Sequence, residues 1–146
     1  MPSLSAQAHE LLATARVAHL ATSDQYARPH VVPIVFVWRE PVLYTPLDRK
    51  PKRDEDWHAL RRVRNIETNG RVAIVVDRYD EDWSQLAWVL LEGVATILES
   101  GNERDAAAAQ LREKYAQYET LSLDGRPIVR VEIERGTEWS GAQPSR

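Results

Sequence analysis

Hydrophobic and polar positions divide this chain into short strand-like runs, punctuated by turn residues and interrupted by three stretches of helical spacing. Ala8, Leu11, Leu12 and Ala15 recur at helical spacing and predict a short N-terminal helix, with Ser3 or Ser5 as its cap. Val17 to Thr22 reads as a strand and Ser23 to Ala27 as a turn, with a second strand over Arg28 to Trp38. Pro29 and Pro33 fall inside that second strand, and proline cannot donate to a ladder. The strand is therefore predicted to leave one side unpaired, as an edge strand does. Glu40-Pro41 turns into a third strand, Val42 to Thr45.

From Asp54 onward Trp57, Leu60, Val63 and Ile66 predict a second helix, closed by Asn69-Gly70. Arg71 to Tyr79 is a nearly continuous apolar strand, and Asp80-Glu81-Asp82 forms a polar turn. Leu86 to Leu98 is then a long strand with apolar residues on both faces. A strand buried on one side only would alternate with polar residues, so both sides of this one need covering. A barrel interior would cover one face, and a helix or a second subunit the other. Gly93 in its middle predicts a bend. Asn102 is the expected cap of an alanine-rich helix reaching about Tyr118, and Pro127 to Glu134 is the last strand. Meandering strands with helices as inserts predict an antiparallel barrel, not a parallel α/β sheet.

Composition narrows the class. At 146 residues, 43% hydrophobic and 28% charged, the chain suits one globular domain spanning residues 1–146. It has no cysteine, hence no disulfide, thiolate nucleophile or cysteine-based metal site, which suits the cytoplasm. No apolar run approaches the length of a transmembrane helix. The net charge of −3 argues against a general nucleic-acid binder.

Against that acidic balance one basic segment stands out. Arg49, Lys50, Lys52 and Arg53 place four cations within five positions, at a strand-to-helix connection held open by Pro46 and Pro51. Arg61, Arg62 and Arg64 follow on the predicted helix. Either this is a solvated basic turn or it holds a phosphate or another small anion. Walker, dinucleotide-binding, nucleophile-elbow and paired-histidine zinc motifs are all missing. His9, His19, His30 and His58 are too dispersed to form a metal site. His30 alone invites a functional reading, because it lies on the open-edged strand. Trp57 and Trp88 match core periodicity, whereas Trp83 and Trp139 lie at strand or turn edges, where they could cover a ring or fill an interface. An enzyme of this description would draw its chemistry from a bound cofactor.

The segments Arg28 to Pro33, Tyr44 to Arg53, Leu60 to Ile66, Val75 to Tyr79, Asp82 to Val89 and Gly136 to Ser140 resemble, in order and spacing, the pyridoxamine-5′-phosphate-oxidase-like superfamily. Within it the likeness is strongest to the branch that uses coenzyme F420. The resemblance implies a six- to seven-stranded antiparallel split β-barrel with flanking helices, of the FMN-binding type, mainly β within the α+β class. It also implies a homodimer with cofactor sites at the subunit interface. Carried over by position, Lys50, Lys52 and Arg53 would hold the cofactor phosphate. Pro29, His30, Val31, Val32 and Pro33 would line its tricyclic ring, with Thr45 between ring and phosphate. Arg78 and Trp83 would reach the partner's site. Asp54-Glu55-Asp56 departs from the family pattern, which has small or hydroxyl residues after the basic run.

The implied activity is hydride transfer between reduced F420 and a small organic substrate, with His30 or an ordered water as proton source. The surplus of cations at Arg49, Arg61 and Arg64 favours F420, with its oligoglutamate tail, over FMN. An FMN-dependent oxidase or reductase, a non-catalytic carrier of a flavin, deazaflavin or haem-like ligand, and a dimeric interaction module are the alternatives.

Overall fold

A computed structural model describes residues 3–47 and 56–142. Seven strands form one sheet in the order β2-β1-β5-β6-β7-β4-β3, and every neighbouring pair is antiparallel. The strands are β1 (Ala18–Ser23), β2 (Pro29–Ile34), β3 (Val37–Arg39), β4 (Val42–Pro46), β5 (Arg71–Arg78), β6 (Ala87–Leu98) and β7 (Ile128–Ser140). Among the described residues three α-helices accompany them: α1 (Ala6–Thr14), α2 (Arg61–Thr68) and α3 (Asn102–Lys114). This is the antiparallel barrel that the meander of short strands predicts, in the mainly β, α+β split form that the resemblance implies.

The two edge strands of the sheet, β2 and β3, are consecutive in sequence, with only Val35 and Phe36 between them. The sheet must therefore curl until its two edges meet at that link. The expected single strand from Arg28 to Trp38 is thus two strands. Its break leaves the Phe36 N–H without a ladder partner, and the Tyr115 hydroxyl accepts it at 3.1 Å. The same hydroxyl lies 2.9 Å from the Arg16 carbonyl, and Lys114 Nζ donates to the Phe36 carbonyl at 3.0 Å. Phe36 itself is fully buried. The bend is fixed by satisfied backbone groups and not by a turn motif.

The main core fills the barrel with Leu20, Ile34, Leu43, Leu47, Val63, Ile74, Val89, Leu91 and Val131, and α1 brings Leu11 and Leu12 to it. Ser5 caps α1, its hydroxyl accepting from Ala8 N at 3.1 Å. A second cluster packs α3 against β3, β4 and β7 through Ala107, Leu111, Tyr115, Val37, Tyr44 and Ile128.

Four boundaries differ from the sequence reading. The helix expected from Asp54 is a 3-10 turn, Trp57–Ala59, followed by α2 from Arg61, because Leu60 between them is extended (φ −64, ψ 134). Gly101 occupies the cap position of α3, at φ 107, where glycine carries no Cβ penalty, and Asn102 is the first helical residue. That helix stops at Lys114, and a 3-10 turn carries the chain through Tyr118 to Glu119. The last strand runs on to Ser140, since Gly136 to Ser140 pairs with Ala87 to Leu91.

Gly93 does mark an irregularity: the β6–β7 register shifts between Glu92 and Gly93, leaving Glu134 as the extra residue on β7. A Cβ at Gly93 would lie 2.0 Å from the Glu132 carbonyl oxygen, so the close approach of the two backbones requires glycine.

Candidate functional site: an arginine-lined pocket beside an open edge strand

Among the described residues strand β2 pairs with β1 on one side only, as its prolines predict. Its alternation puts Pro29, Val31 and Pro33 outward and exposed, while His30, Val32 and Ile34 turn inward. His30 stands opposite Thr22 in the β1–β2 register. Thr22 is buried and accepts a hydrogen bond from Asn65 Nδ2 at 2.9 Å, which ties α2 to the barrel at this point. That bond sets the helix so that its arginines approach β2.

The result is a cavity of about 550 Å³ lined by Asp24, Gln25, Tyr26, Arg28, Arg61, Arg64, Asn65 and Thr68. Its single carboxylate is already engaged. Asp24 accepts from the backbone N–H groups of Tyr26 (2.8 Å) and Arg28 (3.1 Å), and from Arg28 Nε at 2.7 Å. The Arg28 backbone amide, followed by its guanidinium, holds the Asp24 carboxyl below the usual carboxylate range. Asp24 thereby positions Arg28, whose guanidinium lies 5.1 Å from the Tyr26 ring centroid. Neither Arg61 nor Arg64 is held by a carboxylate among the described residues. The lining thus carries a net positive charge, with amide and hydroxyl groups beside it.

Two observations connect the pocket with β2. Burial, then the charges of Arg61 and Arg62, depress the His30 pKa. Its Nδ1 is also a buried polar atom without a hydrogen-bond partner among the described residues. A neutral imidazole with an unused nitrogen, beside an arginine-rich cavity, is suited to accept or donate one hydrogen bond to a ligand.

The other residues singled out in the sequence fall as follows. Lys50, Lys52 and Arg53 lie outside the described residues, as do Arg49, Asp54 and Glu55. Asp56 caps the 3-10 turn, accepting from His58 N at 3.1 Å and pairing with His58 Nδ1 at 2.6 Å. Its negative charge is therefore engaged locally. Thr45 is buried in β4 opposite Val129, on the same strand face as Leu43 and Leu47. Arg78 ends β5, and its Nε donates to the Gln85 carbonyl at 2.8 Å. Trp83 is 69% exposed in the β5–β6 connection. Trp57 packs partly buried against the main core. Trp88, expected in the core, instead lies half-buried on the outer face of β6, opposite Trp139.

Arg28, Asn65 and Thr68 are pocket residues that sequence reasoning missed. Two arginines at Arg61 and Arg64, three positions apart on one helix face, were the available signal.

On the outer face, Trp88, Leu90 and Val94 of β6 are half-buried, as are Ala73 and Val75 of β5. Val31 is 64% exposed and Trp139 43% exposed on the same face. A groove across it passes Pro29, Ala21, Ala73 and Gly93, rimmed by the Arg71–Glu134 pair at 2.8 Å. Among the described residues, no helix is long and apolar enough to cross a membrane.

The family model for pyridoxamine 5′-phosphate oxidase matches residues 4–140. No curated protein matches the sequence. Among solved structures, the chain is similar to an F420 reductase, with a TM-score of 0.69 and 21% identity, covering 92% of this chain and 98% of that one. It is similar also to a heme storage protein from Vibrio cholerae (TM-score 0.71, 21% identity, 95% of each chain). A third likeness is to an FAD-binding protein from Mesorhizobium loti (TM-score 0.67, 23% identity, 92% of this chain and 94% of that one). At such identities the likeness to these three is one of fold. The strand order, the open proline edge and the match over residues 4–140 agree, and the chain belongs to the pyridoxamine 5′-phosphate oxidase family.

Proposed function

We propose that this protein is an oxidoreductase that binds a flavin-like cofactor, coenzyme F420 in preference to FMN, and uses it to reduce a small organic substrate. The observation that carries the reading is the pocket of Arg28, Arg61 and Arg64 against β2. A tricyclic ring with an anionic tail needs an apolar edge and a cluster of unneutralised cations within reach of one another. The open edge of β2, Pro29 to Pro33, supplies the first, and Arg61 and Arg64, which no carboxylate among the described residues holds, supply the second, with Arg28 kept beside them by Asp24. The resemblance adds Lys50, Lys52 and Arg53 for the phosphate and Thr45 between phosphate and ring.

When bound in its reduced form, such a cofactor supplies a hydride. The tasks left to the chain are positioning, charge and exclusion of water. Arg61 and Arg64 would hold the anionic end, and Arg28 would be kept in place by Asp24. His30, neutral at pH 7, would meet the ring with Nδ1. For His30 to act as the proton source, the cofactor's negative charge must first raise its pKa by offsetting Arg61 and Arg62. A second copy of the chain would cover the outer face through Trp88, Leu90, Val75 and Val31, with Arg78 and Trp83 reaching across to its site.

A side-by-side fluorescence titration with F420 and FMN tests the reading. The double variant Arg61→Ala/Arg64→Ala should bind about a hundredfold more weakly, since each lost charged contact costs roughly 1.4 kcal/mol. Unchanged affinity in that variant would remove the pocket from the site. Tight binding with no turnover toward any acceptor would instead favour a carrier, a reading that the likeness to a heme storage protein keeps in view.

A further inference from the structure

The bulge between β6 and β7 shapes the outer face of the sheet as well as its register. Glu92 pairs with Arg135 and Gly93 with Ile133, so the extra residue Glu134 stands beside Arg135, and both are exposed. Two neighbours of opposite charge thereby reach the same groove, a cavity of about 490 Å³ and hence of small-molecule size. Glu134 accepts from Arg71 of β5 at 2.8 Å, and Arg135 Nε lies 3.7 Å from the Glu92 carboxylate of β6. Val31, Ala21, Ala73 and Glu92 follow one another across β2, β1, β5 and β6 in register. The two adjacent alanines make a floor of small side chains, bounded by Ser23, Pro29 and Arg71. With strands about 4.8 Å apart and same-face residues about 6.8 Å apart along each, that floor has room for a flat molecule of two fused rings.

We propose that this groove is the substrate site, and that it takes a neutral, flat, carbonyl-bearing aromatic molecule in preference to an ionic one. The inference rests on the reading that a cofactor ring lies along the open edge of β2, because Pro29 belongs both to that edge and to the groove. A substrate lying on Ala21 and Ala73 meets that edge at one end and the four charged groups at the other. The arginine pocket flanks the same β1–β2 hairpin through Asp24 and Arg28, where the groove has Ser23 and Pro29. The hairpin thus separates an anion-binding side, where Arg61 and Arg64 face no carboxylate among the described residues, from a side whose charges are balanced.

That balance sets the substrate class. Arg71, Glu92, Glu134 and Arg135 sum to zero, and each has its opposite within the groove. An ionic substrate must therefore break an existing pair or cover an unmatched charge. A neutral carbonyl needs only one hydrogen bond, which Arg71 can donate while its other guanidinium nitrogens hold Glu134. A second copy of the chain suits the groove less well than a small molecule does. Its floor offers no large apolar side chain to anchor a partner, and such side chains lie in the next rows, at Val75, Leu90 and Trp88. A copy seated on those rows would roof the groove and exclude water from it.

The test reads binding and needs no turnover. The full chain, with its alanine methyls labelled for NMR, is titrated with naphthoquinone and separately with naphthoquinone sulfonate, without cofactor. The chain has no cysteine for the quinone to alkylate. The Ala21 and Ala73 methyl signals should shift with the neutral compound at a Kd below about 1 mM, and the sulfonate should bind at least about tenfold more weakly. Glu134→Gln leaves Arg71 without its carboxylate, so the sulfonate should gain at least about threefold on the neutral compound. Ala73→Leu fills the floor and should abolish the Ala21 response while leaving the circular dichroism spectrum intact. Silent Ala21 and Ala73 methyls, equal affinity for the two compounds, or a ratio that Glu134→Gln does not move would each overturn the proposal. The charge ratio decides the matter even if Ala73→Leu fails to fold. Methyl shifts in a chain that binds neither F420 nor FMN would uphold the groove as a site for neutral aromatics and overturn the cofactor reading. Cofactor binding with silent methyls would overturn the groove alone.

Discussion

His30 and Ala27 carry the most specific consequences of the local chemistry. Because burial and the charges of Arg61 and Arg62 lower the His30 pKa, the unfolded chain binds the proton more readily than the folded one below about pH 6.5. Stability contributed by the neutral ring is therefore full above the unfolded value and falls as the pH drops below it. His30→Gln should flatten the stability–pH curve below about pH 6.5, as read by urea denaturation at a series of pH values. Binding of an anionic cofactor should move the same titration upward, which the His30 ring signals in an NMR pH series would report. Ala27 sits at φ 61, in the left-handed region that non-glycine residues avoid. Ala27→Gly should relieve that conformation, stabilising the protein by about 1 kcal/mol and raising Tm by roughly 3 °C in calorimetry.

At the scale of elements, the hydrogen bonds that join them matter more than local propensity. Tyr115→Phe removes the acceptor of the Phe36 N–H and strands that group inside the β2–β3 link. The expected loss is about 1–3 kcal/mol in a chemical denaturation curve, with little change in the far-ultraviolet spectrum. Most elements are readable from sequence, because their signals are strong and local. A nearly continuous apolar run marks β5, and the prolines of β2 mark it as an edge. The boundaries that escape share a cause. Val35 and Phe36 suit a strand as well as a bend, and only the distant Tyr115 decides between them. Leu60 carries helical spacing, yet its backbone is extended and the helix restarts after it. The pocket is likewise half legible. Arg61 and Arg64 advertise themselves as a pair, whereas Arg28 is held by nearby Asp24 in the β1–β2 turn, far from both of them in sequence. Trp88 looks like a core residue because strand periodicity does not say which of two apolar faces is the inside.

For the whole molecule, that second apolar face has a direct test. Leu90→Arg puts a charge in the middle of the outer face of β6, between Val75 and Thr137. If a second copy covers this face, the variant should sediment as a folded monomer where the unaltered chain sediments as a dimer. Its cofactor affinity should fall along with dimerisation, because the shared site would be lost.

Strand β7 is the last to be made, yet it stands between β6 and β4. Until it arrives, the chain has only two unconnected patches, β2-β1-β5-β6 and β4-β3. Synthesis on the ribosome must therefore pass through residues 128–140 before the sheet can become continuous, and until then the nascent chain carries open strand edges. Sequence separation of this kind slows folding through the entropy of loop closure. A chain truncated before Ile128 should consequently be not a slightly weakened barrel but two mutually unsupported fragments, insoluble on their own and dependent on a chaperone during translation.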